Sequence, residues 1–173
     1  AFHYIQRENV NITVHAGEAF GKESIWQAIQ WCGAHRIGHA TRLIEDMKVK
    51  DGQVLSMGTL AQFVLDKRIP LEICLTSNVH TGAVKSVAEH PFGIFYRYKF
   101  RVTLNTDDRL MSGITLTDEY YTAAEHFGLK LEELEKLTIN AMKSAFLPYK
   151  QRIAIIYDVL KPGYAKTKKG LKK

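Results

Sequence analysis

Four short apolar or β-branched runs, each followed by an amphipathic stretch of helical period, constrain this chain more than any other feature. The runs are Asn11 to His15 (NITVH), Arg36 to His39, Leu71 to Leu75 and Arg101 to Asn105 (RVTLN). Ser24 stands where a helix cap is wanted, and Ile25, Ala28, Ile29 and Cys32 then follow the i, i+3, i+4, i+7 spacing of one helical face. Thr59 to Asp66 reads as a second helix, with Leu60, Phe63 and Val64 together. Pro70 opens Leu71 to Leu75, which reads as a strand buried on both faces. A helix is expected over Ala83 to Glu89, broken at His90-Pro91, and a short one through Tyr96. Beyond RVTLN the pattern is helical: Thr117 caps a segment ending near Gly128, and Leu131 to Ala145 traces a longer face that stops before Pro148. A last helix through Ile153, Ile156, Tyr157 and Leu160 ends at Pro162-Gly163. Repeated βα units imply an α/β fold with parallel strands and right-handed crossovers.

Composition narrows the class. With 46% hydrophobic and 24% charged residues, 173 residues suit one soluble globular domain or part of one. Charges interrupt every apolar run too early for a membrane span. Cys32 and Cys74 have no C-x-x-C spacing, which favours a reducing, cytoplasmic compartment over a disulfide framework. The net charge of +6 is a property of one end. Lys161 to Lys173 holds six lysines and no acid, and without them the 24 basic residues fall to 18, equal to the 18 acidic ones. Residues 166–173 are therefore expected to be a solvated, frayed tail on a nearly neutral body, 1–165, with no nucleic-acid or membrane partner.

Each run leads into a polar cluster: His15 and Glu18, His39, Ser77 and Asn78, Asp107 and Asp108. Singly these are ordinary: a hydrogen-bonded histidine, a turn, a helix cap beside a second acid. Together they sit at the carboxyl ends of parallel strands, where α/β folds build sites. Strand parity puts His15 and Asp107 on one face, able to share an ion, and an imidazole with a carboxylate suits zinc. Asp108 has the opposite parity and is left for substrate. Glu18, just past Gly17, is placed for acid–base work near the metal. His39 could hold a water there or satisfy a backbone group. Zinc normally takes three protein ligands, and no His-x-His pair occurs among the seven histidines.

HAGE (15–18), RIGH (36–39), TSN (76–78) and NTDD (105–108) resemble, in order and spacing, the C-terminal half of the adenosine deaminase family. Arg109 to Ser112 and TLTDE (115–119) are similar to its bacterial members, while Arg109 and Ala40 depart from the usual Pro and Gly. The resemblance implies the last four βα units of a (β/α)8 TIM barrel of the metal-dependent hydrolase type, plus C-terminal helices. It implies that His15 and Asp107 are two of four zinc ligands, the others being a His-x-His pair on a complementary N-terminal half. Glu18 then resembles the proton shuttle to purine N1, His39 the residue that orients the attacking hydroxide, and Asp108 the partner of purine N7. The implied reaction converts adenosine or 2′-deoxyadenosine to inosine-type product and ammonia. Adenine or adenosine-phosphate deaminases are the nearest alternatives, and a non-catalytic nucleoside-binding domain of the same fold is the other. Helical character from Ala1 to Asn9, with no starting Met, suggests a chain that begins inside an element, with little activity by itself.

Overall fold

Parallel pairing of the four runs holds in the computed structural model, which describes residues 1–171. The strands are β1 (Thr13–Ala16), β2 (Arg36–His39), β3 (Met47–Lys50), β4 (Gln53–Met57), β5 (Leu71–Ile73) and β6 (Val102–Leu104). The helices are α1 (Phe2–Arg7), α2 (Lys22–Gln30), α3 (Thr59–Asp66), α4 (Leu75–His80), α5 (Phe92–Arg97), α6 (Arg109–Ser112), α7 (Leu116–Phe127), α8 (Leu131–Ser144), α9 (Tyr149–Ala154) and α10 (Lys161–Gly170). One sheet runs β1-β2-β5-β6, every neighbour parallel, with β1 and β6 at its edges.

Register explains how the sheet sorts its residues. Val14, Ile37, Leu71 and Val102 pair across the sheet and share one face, as do Ile73 and Leu104. That face is packed by helices: Ile25, Ile37, Leu71, Ile73, Phe92, Phe95, Val102 and Leu137 are fully buried in a single core. The opposite face carries Thr13, Arg36, Glu72 and Thr103. There Glu72 accepts a hydrogen bond from Thr13 Oγ1 at 2.7 Å and pairs with Arg36 Nε at 2.9 Å. So β5 is not buried apolar on both sides. It is three residues long, and its polar face is held by an ion pair.

Other local expectations are revised as well. Ser24 does not cap α2; its Oγ accepts the Gly17 N–H at 2.7 Å and donates to Gly21 O at 2.8 Å. Thr115 caps α7 in place of Thr117, in a reciprocal capping box with Asp118. Ala83 to Glu89 is not a helix beyond a single 3-10 turn at Val87–Glu89. The β3–β4 hairpin was not expected, although Asp51-Gly52, both at positive φ, is its turn. Pro162 does not end the last helix. Residues Ile155–Leu160 wind as a π-helix between α9 and α10, which accommodates a proline that offers no N–H to the turn before it. The expected boundary at 165/166 falls within α10, where Lys168 pairs with Glu135 at 2.7 Å and Glu132 at 3.6 Å. The basic end is thus folded up to Gly170, and Lys172 and Lys173 lie outside the described residues. Among the described residues no helix is long and apolar enough to cross a membrane.

Candidate active site

Two glycines let β1 and β2 present their terminal side chains. Gly38 lies opposite His15 in the register, and a Cβ there would stand 3.0 Å from His15 Cδ2. Gly17 turns the chain after β1 at φ +68°, where an added Cβ would sit 2.5 Å from Ile25 Cδ1. His39, Ala40 and Asp107 also adopt left-handed backbone, at φ 67°, 55° and 56°. Non-glycine residues pay roughly 1–3 kcal/mol for such conformations, which cluster where side chains must be aimed.

The site is a ring of donors and acceptors at the carboxyl edge of the sheet. One ring nitrogen each from His15 and His39 and a carboxylate oxygen of Asp107 lie within 4.8 Å of one another. His39 Nε2 is 3.1 Å from His15 Nδ1, 3.5 Å from Glu18 Oε2 and 3.9 Å from Asp107 Oδ2. Asp107 Oδ2 accepts from Ser77 Oγ at 2.6 Å. Glu18 Oε1 accepts from Asn78 Nδ2 at 3.2 Å and from Thr81 Oγ1 at 3.0 Å. This leaves Oε2 as the edge of the carboxylate that faces His39. Burial pushes the His39 imidazole below its ordinary range; His15 pushes the same way, and Glu18 and Asp107 pull against them. At neutral pH, His39 therefore meets the two acids as a hydrogen-bonding group rather than as a cation.

His15, His39 and Asp107 are thus brought together, with Glu18 beside them. Strand parity is not the reason for Asp107: β6 ends at Leu104, and the left-handed turn at Asp107 aims its carboxylate. Asp108 is exposed and caps α6, its Oδ1 accepting the Leu110 and Met111 N–H groups at 3.0 and 3.1 Å. Ser77 and Asn78 are in the first turns of α4, not in a turn between elements, and both are buried. The donor set suits a divalent metal: one strand-end imidazole, one carboxylate and a second imidazole, all aimed at a common space.

Two contributors went unread in the sequence. Glu119 is fully buried on α7, and its carboxylate accepts the Leu75 and Thr76 N–H groups at 2.9 and 3.1 Å, fixing the start of α4. His90, taken only as a helix break, is 3% exposed and hydrogen-bonds Asn78. TLTDE quoted Glu119 without a role, and no spacing singles out His90.

Comparison with known proteins places this geometry. Residues 1–162 match the family model described as adenosine deaminase. The chain is similar to adenosine deaminase 1 of Streptomyces coelicolor, 53% identical over 168 residues that cover 97% of this chain and 42% of that protein. It therefore spans less than half the length of that curated relative. Among solved structures it resembles Arabidopsis ADAL complexed with IMP, at a TM-score of 0.77 and 28% identity, over 95% of this chain and 44% of the other. The fold is also that of the adenine deaminase from Arthrobacter aurescens, at a TM-score of 0.82 and 22% identity, covering 93% and 46% of the two chains. The four parallel βα units here are part of the TIM-barrel fold of these neighbours, of whose chains this one covers less than half.

Proposed function

The chain belongs to the adenosine deaminase family, and on that premise we propose that it forms the half of a zinc-dependent adenosine aminohydrolase that carries the proton-transfer groups. The observation that supports this most is the convergence of His15, His39 and Asp107 within 4.8 Å, with Glu18 alongside. His15 and Asp107 would hold the metal, and a His-x-His pair on a complementary N-terminal half would complete the set. Zinc, when bound, supplies a water nucleophile at neutral pH by lowering its pKa to about 7.

Proton transfer and the orientation of water and base fall to side chains of this chain. Attack at C6 of an aminopurine leaves negative charge on the ring unless N1 gains a proton. Glu18 holds that proton and delivers it at N1, steadied by Asn78 and Thr81 on its other oxygen. His39 Nε2 orients the attacking water. Asp108, as the protonated acid, donates from Oδ2–H to purine N7 at the mouth of the site, while its Oδ1 accepts the amides that start α6. The substrates of this reading are adenosine, which the curated relative's name supports, and 2′-deoxyadenosine. Cys32 and Cys74 are both free, and burial raises the Cys74 thiol well above its ordinary value, so that it stays protonated and inert in a reducing cytoplasm.

The test is reconstitution. The chain alone should show little turnover, and co-expression with the complementary half should give stoichiometric zinc and release of inosine and ammonia from adenosine. A panel with adenine and AMP reads the specificity. A zinc-loaded barrel that leaves all three compounds unchanged would refute the aminohydrolase reading.

A further inference from the structure

Behind His39 lies a buried chain of side chains whose direction is fixed at both ends. Phe92 opens α5, so its N–H has no acceptor within that helix. It donates to His90 Nδ1 at 2.9 Å. A backbone amide can only donate, so Nδ1 carries a lone pair and the proton of neutral His90 is on Nε2. Burial keeps His90 neutral by pushing its pKa down to about 3. His90 Nε2 lies 3.1 Å from Asn78 Oδ1, which accepts. The Asn78 amide then points Nδ2 the other way, to His39 Nδ1 at 3.0 Å and Glu18 Oε1 at 3.2 Å. The Glu18 carboxylate demands the same orientation, since a flipped amide would set two acceptors against each other. With Asn78 donating, His39 Nδ1 must accept, and the proton of neutral His39 is on Nε2.

We propose that His90 is a positioning residue which, through Asn78, holds His39 in the Nε2–H tautomer, so that His39 donates a hydrogen bond into the metal-binding space and does not ligate through that nitrogen. The geometry otherwise allows both roles, because His39 Nε2 lies 3.1 Å from His15 Nδ1 and 3.9 Å from Asp107 Oδ2. Ligation through Nε2 would require a proton on Nδ1, pointed at the Asn78 N–H. The relay is deeply enclosed: Asn78 is fully buried, His39 is 1% exposed and His90 3%. What the donor does in catalysis rests on the aminohydrolase reading; the tautomer stands without it.

The test reads histidine tautomers by 15N NMR on the metal-free, 173-residue chain at neutral pH. His39 should carry its proton on Nε2. Asn78→Asp leaves only acceptors facing Nδ1 and should move the proton to Nδ1. His90→Gln, whose amide nitrogen replaces Nε2, keeps the donor to Asn78 and should preserve the tautomer. His90→Asn, whose oxygen replaces only Nδ1, should lose it to a mixture. A proton on His39 Nδ1 in the unaltered chain overturns the proposal, as does an unchanged His39 in both Asn78→Asp and His90→Asn. In the reconstituted barrel, His90→Asn should lower kcat roughly tenfold or more with KM held, and His90→Gln should restore it. A tautomer shift without loss of kcat would keep the relay and sink the catalytic role of His39.

Discussion

Removing the charge of Glu119 should loosen the site from a distance, because this buried carboxylate fixes the backbone that carries Ser77 and Asn78. Its two oxygens accept from Leu75 and Thr76 N–H at 2.9 and 3.1 Å, and neither amide has another acceptor at the start of α4. Hydrogen bonds to a charged group are worth about 1.5–3 kcal/mol each, and an orphaned buried donor costs about 1–3 kcal/mol. Glu119→Gln keeps one acceptor oxygen and turns an NH2 group toward the second amide. The loss is one bond that leaves its N–H orphaned, about 1.5–3 kcal/mol. Glu119→Ala loses both bonds and leaves a cavity, so its cost should be larger, about 3–5 kcal/mol. Relief of carboxylate desolvation offsets part of this, but the backbone amides left without an acceptor keep the net effect destabilising. Against a domain stability of about 5–15 kcal/mol these are large fractions. Urea unfolding at pH 7 reads the effect as a lowered midpoint at unchanged slope. Losses below about 0.5 kcal/mol in both variants would refute the assignment of Glu119 as the anchor of α4.

Three further outcomes follow from the same geometry. His90, pushed down to about 3 from an ordinary 6.5, binds a proton when unfolded that it refuses when folded; stability is therefore full above about pH 6.5 and falls as pH drops toward 3, by up to about 1.4 kcal/mol per pH unit. In acid-unfolding titrations His90→Gln should flatten that slope by about one proton, and an unchanged slope would count against the buried neutral histidine. Gly38→Ala should press on the His15 ring, costing about 1–3 kcal/mol and weakening zinc affinity in the reconstituted barrel, as read by calorimetric titration. Asp107→Asn keeps a residue tolerant of φ 56° and can still accept from Ser77, so the fold should survive while zinc is lost; full zinc content by elemental analysis would remove Asp107 from the ligand set.

The strands were legible because each is a short apolar run with a polar end, and their parallel order follows from the βα spacing. His15 and Asp107 do come together, yet the parity argument for Asp107 extended β6 past Leu104, where the strand has stopped and a left-handed residue does the aiming. Errors cluster where a side chain has a distant partner. Ser24 and Thr117 look like caps, but Ser24 is taken by Gly17 and Thr115 competes better with Asp118 in reach. Leu75 looks like the end of a strand until Glu119, 44 residues on, supplies the acceptor that starts a helix there. The hairpin at Asp51-Gly52 had a readable turn signal that the βα pattern overshadowed. His90 had no signal, since its role depends on the amide of Phe92 and the side chain of Asn78 arriving at one buried place.

The central claim is that this chain brings acid–base chemistry to a metal held partly by its own residues. Glu18→Gln in the reconstituted barrel tests it most directly, with zinc content and adenosine turnover measured on the same sample. Zinc should be full and turnover reduced by at least ~10². Full zinc with normal turnover would contradict it.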